Sequence, residues 1–175
     1  MDKKIINKAS KIKLLILDVD GVMTDGSIIL DNDGNELKRF HVRDGHGIKM
    51  LGKAGIVTAI ITGRKSKVVE VRAKELGIKE VYQRIFVKSE VYEKLLVKYK
   101  CKNEQVAFMG DDVVDQELFK RAGLTAAPAD AEESAKKWAD IVSSRKGGRG
   151  AVREVCEIIL KSKGLWDEIM EKYDR

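Results

Sequence analysis

Residues 14–21 read LLILDVDG, an aliphatic run that leads directly into two acids and a glycine. A continuous apolar run of this kind is typical of a strand that is buried on both faces of a sheet. Carboxylates are rarely buried unless a partner offsets their charge. Asp18 and Asp20 therefore need an explanation beyond the fold, and we expect them at the carboxyl end of a core strand.

Apolar runs of similar length recur along the chain and alternate with helical patterns. This alternation predicts an α/β fold, a three-layer α/β/α Rossmann-like arrangement with a mostly parallel sheet. Right-handed crossovers place the carboxyl ends of all the strands at one edge, where ligands bind in such sheets. The predicted strands are 14–20, 56–62, 79–83, 105–110, 124–129 and 139–143.

Residues 27–42, SIILDNDGNELKRFHV, depart from this alternation. They are typical of two short strands around Asp33-Gly34, a dipeptide that is favoured in hairpin turns. Because this segment directly follows Asp20, we expect the hairpin to project over the same edge of the sheet. No linker or repeat interrupts the chain, so we expect a single domain over residues 1–175.

Composition restricts the class of function. Hydrophobic residues make up 43% of the 175 residues, and no apolar run approaches the roughly 18 residues of a membrane span. The net charge of +6 fits an anionic partner or simply a highly charged surface. The basic residues lack the clustered aromatics of nucleic-acid-binding surfaces. Cys101 and Cys156 have neither metal-ligand spacing nor a disulfide framework. We therefore expect a cytoplasmic protein that binds neither nucleic acid nor membrane, with residues 1–13 as a frayed lead-in.

Polar residues at the strand ends suggest phosphoryl chemistry. Asp18 and Asp20 end the first predicted strand and Thr62 ends the second, whereas Lys88 and Asp111 follow later ones. Several carboxylates in one crevice need a cation, and oxygen ligands without His or Cys are typical of Mg²⁺. One carboxylate can act as a nucleophile, a second as an acid and base, and a lysine with a hydroxyl can offset phosphoryl charge. Each residue also has a structural alternative, as a turn former, a strand terminator, a helix cap or a solvated lysine.

Four short motifs occur along the chain in the order Asp18-Val19-Asp20-Gly21-Val22, Thr62-Gly63, Lys88 and Gly110-Asp111-Asp112. In this order they resemble the four motifs of the haloacid dehalogenase superfamily of phosphohydrolases. The resemblance implies that Asp18 is the nucleophile and Asp20 the acid and base. It also implies that Mg²⁺ is held by the Asp18 carboxylate, the Asp20 carbonyl and the Asp111 carboxylate.

The same resemblance implies roles for the remaining motif residues. Thr62 and Lys88 would bind the phosphoryl group, with Lys94 as a second candidate for the lysine. Asp112 and Asp115 would order metal-bound water or Lys88. An Asp two residues after the nucleophile is similar to the phosphatases and phosphomutases of the superfamily.

Members of this superfamily usually carry a cap domain, and this chain has no room for one. The space between Asp20 and Thr62 holds only the hairpin and one helix. Either a large substrate surface or a neighbouring subunit must then close the site. The apolar residues of the hairpin predict a homotetramer, with the hairpins packed around the symmetry axis and the site completed by a neighbour. The alternative is a hairpin that folds back on its own domain.

Three further motifs are HVRDGHGIKML (41–51), ITGRKS (61–66) and GGRGAVREVCE (147–157). They resemble motifs of the cap-less phosphatases of 3-deoxy-D-manno-octulosonate 8-phosphate within this superfamily. The resemblance implies Mg²⁺-dependent hydrolysis of this small-molecule sugar-acid phosphate, in lipopolysaccharide precursor biosynthesis. The alternatives are a nine-carbon sialic-acid or KDN phosphate as substrate, or a non-catalytic oligomerisation module. A further alternative, because the site is uncapped, is a protein or nucleic-acid phosphatase. The implied substrate-binding residues are His41, Val42, Arg43, Asp44, Gly45, Arg64 and Arg72.

Overall fold

The structure, a computed structural model, describes residues 2–172 as an α/β fold in which strands and helices alternate as predicted. None of the helices in this range is long and apolar enough to cross a membrane. The strands are β1 (Leu14–Leu17), β2 (Ile29–Leu30), β3 (Glu36–Leu37), β4 (Val57–Ile61), β5 (Glu80–Tyr82), β6 (Val106–Met109), β7 (Leu124–Ala127) and β8 (Ile141–Val142). The helices are α1 (Lys3–Ser10), α2 (Val42–Lys53), α3 (Lys67–Leu76), α4 (Lys88–Tyr99), α5 (Gln116–Arg121), α6 (Glu133–Trp138), α7 (Ala151–Ser162) and α8 (Trp166–Glu171).

Six strands form a parallel sheet in the order β5-β4-β1-β6-β7-β8, which confirms the predicted fold class. β1 is central, with Leu15 beside Thr58 of β4 and Ala107 of β6. The chain builds β4 and β5 on one side of β1 and then returns with β6 on the other side. Ligands bind at the carboxyl ends of strands where the strand order reverses in this way. Asp18 and Asp111 follow the two strands that flank the reversal.

The side chains of β1 alternate between two hydrophobic layers, as the period of two in a strand requires. Leu15 and Leu17 belong to the layer that α1, α2, α3, α7 and α8 cover. Leu14 and Ile16 belong to the layer that α4, α5 and α6 cover. Because both faces of β1 are buried, its sequence is continuously apolar rather than alternating.

The prediction of a frayed lead-in was wrong, because α1 is a regular helix. The Asp2 carboxylate accepts the Lys4 amide N–H at 2.9 Å and caps its start. Ala9 and Ile12 are fully buried, and Ile5 packs against the same hydrophobic layer. Ile5, Ala9 and Ile12 recur at helical spacing, a signal that the basic composition of this segment obscured.

The predicted hairpin is present as the antiparallel pair β2 and β3, although each strand has only two residues. The Asp31 carboxylate holds the turn by accepting the amide N–H groups of Asp33 at 2.9 Å and Asn35 at 2.8 Å. Gly34 adopts a left-handed φ of 79°. The expected second strand up to residue 42 is shorter, because α2 begins at Val42 and takes the next residues into its first turn.

Candidate active site

The two acids after β1 lie on a tight turn that bends away from the sheet. The amide N–H groups of Val22, Met23 and Thr24 all donate to the Val19 carbonyl, at 3.2, 2.9 and 3.1 Å. Gly21 has a φ of 83°, and a Cβ there would lie 2.0 Å from Asp111 Oδ2. Only glycine suits this position, because of its left-handed backbone and because of the adjacent carboxylate.

The strand ends converge on one pocket of about 330 Å³. The pocket is lined by Asp18, Asp20, Gly21, Gly26, Thr62, Gly63, Arg64, Ile85, Phe86, Lys88, Asp111, Asp112 and Val114. The structure thus brings together residues that are far apart in the chain and that the motifs singled out: Asp18, Asp20, Thr62, Arg64, Lys88 and Asp111.

Two carboxylates of the pocket lining form a cluster with a third that is fully buried beside them. Asp18, Asp111 and Asp115 each offer an oxygen, and these oxygens lie within 4.8 Å of one another. Burial raises the pKa of Asp18 to about 6. Burial also raises the pKa of Asp111 to about 8, with added repulsion from Asp18 and Asp115. Carboxylates behave in this way when their charges are poorly hydrated and crowded, and a cation relieves both effects. The all-oxygen donor set fits a hard divalent ion such as Mg²⁺.

Lys88, the first residue of α4, lies against the carboxylate cluster. Its Nζ is 2.5 Å from Asp115 Oδ1 and 3.2 Å from Asp18 Oδ1. Burial lowers the pKa of Lys88, but the charges of Asp18 and Asp115 outweigh burial and hold this pKa above its ordinary value. Lys88 is therefore a permanent cation at neutral pH. Lys94, the second candidate, is exposed on α4 and does not line the pocket.

The oxygens of Asp115 and Asp18 differ in their hydrogen bonding. Asp115 is fully buried, and its Oδ2 accepts the Asp111 amide N–H at 3.0 Å while its Oδ1 contacts Lys88. Asp18 Oδ1, although close to Lys88, accepts no hydrogen bond from any residue in the range 2–172. Asp115 is thus committed to internal contacts, whereas Asp18 retains an oxygen for a ligand.

Sequence reasoning missed two hairpin residues, Glu36 and Lys38, that reach Asp20. Lys38 forms an ion pair with Asp20, and its Nζ also lies 3.3 Å from Glu36 Oε1. Glu36 in turn accepts a hydrogen bond from Arg64 Nη2 at 2.5 Å. The available signal was the pattern Glu36-Leu37-Lys38, in which both charged residues fall on one face of a strand.

The structure places other predicted substrate-binding residues outside this pocket. His41 and Arg43 line a separate cavity of about 530 Å³. Val42 is exposed on the first turn of α2. Arg72 pairs with Glu75 at 2.7 Å, and its guanidinium lies 5.8 Å from the centroid of the Phe40 ring.

Asp44 and Gly45 have structural contacts within this chain. Asp44 is buried, and its two carboxylate oxygens accept the amide N–H groups of Gly150 at 3.2 Å and Arg153 at 2.8 Å. These bonds cap the start of α7. Asp44 therefore has a capping role within this chain, and its substrate-binding role stays a prediction. A Cβ on Gly45 would lie 2.3 Å from Arg72 Nη2, so this glycine allows the close approach of Arg72.

The loop before α7 packs against the turn that carries Asp18 and Asp20. A Cβ on Gly147 would lie 1.8 Å from the Gly21 carbonyl oxygen, so the two backbones are in direct contact. The Gly148 amide N–H donates to the Val22 carbonyl at 3.0 Å. The two glycines therefore brace this turn by backbone contact.

Comparisons with known proteins agree with this geometry. A family model described as haloacid dehalogenase-like hydrolase matches residues 67–154. The 3-deoxy-D-manno-octulosonate 8-phosphate phosphatase KdsC of Yersinia pestis is 50% identical over 156 residues, which are 89% of this chain and 83% of that protein. The KdsC of Escherichia coli K12 is 48% identical over 164 residues, 94% of this chain and 87% of that protein.

A solved structure extends the similarity to three dimensions. It is the 3-deoxy-D-manno-octulosonate 8-phosphate phosphatase of Moraxella catarrhalis, in complex with a magnesium ion, a phosphate ion and KDO. It is 39% identical, has a TM-score of 0.96, and the match covers 99% of each chain. From the matched family model, the identity to these relatives and the shared fold, we conclude that this chain belongs to the haloacid dehalogenase-like hydrolase family.

Proposed function

We propose that the protein is a Mg²⁺-dependent phosphatase that hydrolyses 3-deoxy-D-manno-octulosonate 8-phosphate to the free sugar acid and phosphate. This reaction would take place in the cytoplasm, as a step in lipopolysaccharide precursor biosynthesis. The observation that carries the proposal is the meeting of Asp18, Lys88 and Asp111 in one pocket. It is supported by the identity of about half of the residues to enzymes that bear this name.

The pocket supports a two-step transfer in which Asp18 is the nucleophile. Asp18 attacks phosphorus and forms an aspartyl-phosphate, while Asp20 gives a proton to the departing sugar oxygen. Water then attacks the aspartyl-phosphate, and Asp20 accepts the proton of that water. Thr62 and Lys88 line the pocket beside Asp18, where they bind the phosphoryl oxygens and offset the negative charge.

The carboxylate cluster supports Mg²⁺ as the cofactor. We assign the ion to the carboxylates of Asp18 and Asp111 and to the Asp20 carbonyl. Bound there, it supplies positive charge to the phosphoryl oxygens. We assign Asp115 to holding Lys88 rather than the ion, because both of its oxygens already accept hydrogen bonds.

Phosphate release from a panel of sugar-acid phosphates tests this function. We expect release from 3-deoxy-D-manno-octulosonate 8-phosphate with Mg²⁺ and none after the ion is removed with EDTA, because the clustered carboxylates then repel the phosphate. The nine-carbon sialic-acid and KDN 9-phosphates are the alternative substrates in the same assay. A higher kcat/KM for either of these would contradict the substrate assignment. No release from any member would leave the non-catalytic module as the explanation.

We further propose that the protein is a homotetramer in which a neighbouring subunit completes the site. The pocket is uncapped, and Phe86 at its rim is 87% exposed. The hairpin also exposes Ile28, Leu30 and Leu37. Large exposed apolar side chains of this kind mark interfaces. Arg43 lines a cavity separate from the Asp18 pocket, so its proposed contact with substrate is best made at the site of a neighbour. Five other predicted substrate-binding residues also lie outside the lining of the Asp18 pocket, and we propose that they too act at the site of a neighbour: His41, Val42, Asp44, Gly45 and Arg72.

Subunit mixing tests the shared site. Arg43→Ala should raise KM about tenfold or more, since a charged hydrogen bond to substrate is lost. Co-expressed Asp18→Asn and Arg43→Ala subunits should regain activity, because an intact Arg43 on one subunit serves an intact Asp18 on the other. Mixed oligomers no more active than the sum of the separate variants would contradict sharing. Sedimentation as a monomer at micromolar concentration would contradict the oligomer itself.

A further inference from the structure

Lys38 reaches from the hairpin to the carboxylate of Asp20. Its side chain is 1% exposed, although the hairpin around it is largely exposed. Its Nζ forms an ion pair with Asp20 Oδ1 and lies 3.3 Å from Glu36 Oε1. A buried ammonium loses its hydration and is stable only where acidic partners compensate. This lysine is therefore held in place by the two acids, unlike a solvated lysine of the surface.

The two oxygens of Asp20 have different partners. Oδ1 is held by Lys38, whereas Oδ2 lies 3.7 Å from Arg64 Nε. The terminal torsion of an aspartate is broad and allows the carboxylate to turn. An anchor on Oδ1 limits that turning and so fixes where Oδ2 lies. A general acid must place its oxygen within hydrogen-bond reach of the leaving group.

Glu36 and Arg64 connect this anchor to the rest of the pocket. Glu36 contacts both Lys38 and Arg64, and Arg64 follows β4 at the edge where Thr62 lies. Ion pairs thus connect the hairpin to the turn after β1, through Lys38 and Asp20, and to the loop after β4, through Glu36 and Arg64. This arrangement gives the hairpin a role in the chemistry of its own subunit, in addition to any contact with a neighbour.

We infer that Lys38 is a positioning residue that orients Asp20 for protonation of the departing sugar oxygen. The inference rests on the proposed function, since it concerns the acid of that reaction. Lys38 acts on Asp20 and not on the phosphoryl group. Its loss therefore harms esters whose leaving oxygen needs a proton, and spares esters whose leaving group departs as a stable anion.

The experiment compares an alkyl and an aryl phosphate ester. For wild type and Lys38→Met, kcat/KM is measured with Mg²⁺ on 3-deoxy-D-manno-octulosonate 8-phosphate and on 2,4-dinitrophenyl phosphate. The value of kcat/KM depends only on the steps up to release of the first leaving group. It therefore reports protonation of that group and not the later attack of water. We expect Lys38→Met to lower kcat/KM on the sugar ester by roughly 10- to 100-fold, a part of what general acid catalysis contributes. We expect little change on the dinitrophenyl ester.

Matched variants separate positioning from folding. Arg39→Met removes the next cation along the chain. Arg39 pairs with Asp25 at 2.5 Å, and its loss should leave both kcat/KM values unchanged. Lys38→Arg keeps the charge and should restore most of the activity on the sugar ester. If Lys38→Met does not fold, Lys38→Gln gives the same comparison with a polar side chain. Thermal unfolding and sedimentation of each variant establish that fold and assembly are retained.

The outcomes distinguish this inference from the proposed function. Equal losses on both esters, or no loss on the sugar ester, would overturn the role of Lys38. Wild-type protein that does not hydrolyse 3-deoxy-D-manno-octulosonate 8-phosphate would overturn the proposed substrate instead. The alkyl ester of the panel that wild type does hydrolyse then replaces it in the comparison. Inactivity toward every alkyl ester would overturn both.

Discussion

Asp18→Asn is expected to abolish turnover while the protein remains folded. An amide has nearly the size of a carboxylate but cannot attack phosphorus, so no aspartyl-phosphate forms. We expect kcat to fall on the order of 10⁴-fold or more, as for loss of other covalent nucleophiles. Phosphate release measures the loss, and borohydride trapping of the aspartyl-phosphate should succeed with wild type and fail with the variant.

The stability of the same variant provides an internal control. Burial raises the pKa of Asp18 to about 6, so the folded state binds this proton more tightly than the unfolded state does. The free energy of unfolding of the metal-free protein therefore falls as pH rises from the ordinary pKa of an aspartate through 6, because Asp18 must then ionise while buried. The neutral amide removes this cost. At pH 8 and without metal, the variant should unfold at a temperature no lower than that of wild type.

Two outcomes would contradict the assignment of Asp18. Substantial turnover by Asp18→Asn would exclude it as the nucleophile. Inactivity together with a much lower unfolding temperature would make the loss a folding defect. Asp33→Asn, in the exposed turn of the hairpin, is the matched control and should retain full activity.

Lys88→Met is expected to have the second-largest effect, on both stability and turnover. Removing one partner of a buried ion pair leaves uncompensated charge, which costs about 3–5 kcal/mol in the free energy of unfolding. Here Asp18, Asp115 and the nearby Asp111 would lose their neighbouring ammonium. Urea unfolding of the metal-free protein at neutral pH measures this change.

Turnover should fall as well, because Lys88 is proposed to offset charge on the transferring phosphoryl group. A loss of about 10²–10³ in kcat is the scale seen for one such donor. Lys94→Met is the matched control on the same helix, and its stability should change by less than about 0.5 kcal/mol, as is usual for an exposed position. A stable, active Lys88→Met combined with an inactive Lys94→Met would transfer the role to Lys94.

Local patterns were sufficient to predict the sheet and the centre of the pocket. The apolar run of β1 could be recognised because both of its faces are buried, and this fixed Asp18 at a strand end. The same reasoning applied to Asp111 after β6, because parallel strands share one carboxyl edge. Residues that reach the pocket directly from a strand end were therefore predictable from their position alone.

Residues that act through tertiary contacts were not predictable in this way. Lys38 is close to Asp20 only because the hairpin turns back over the pocket, which no spacing in the chain specifies. Asp44 accepts two amide N–H groups at the start of α7, a contact that its local motif does not indicate. Its partner α7 lies more than a hundred residues away in sequence. Long-range contacts of this kind cannot be recognised from a local motif.

The backbone contact between Gly147 and Gly21 has a consequence for how the protein matures in the cell. A ribosome releases the N-terminal part of a chain first. The reactive turn therefore emerges early, but the glycine loop that braces it is made only after β8. A chain synthesised only as far as β8 contains every acid of the pocket and still lacks this support. The turn therefore gains this backbone support only once translation has passed Gly148.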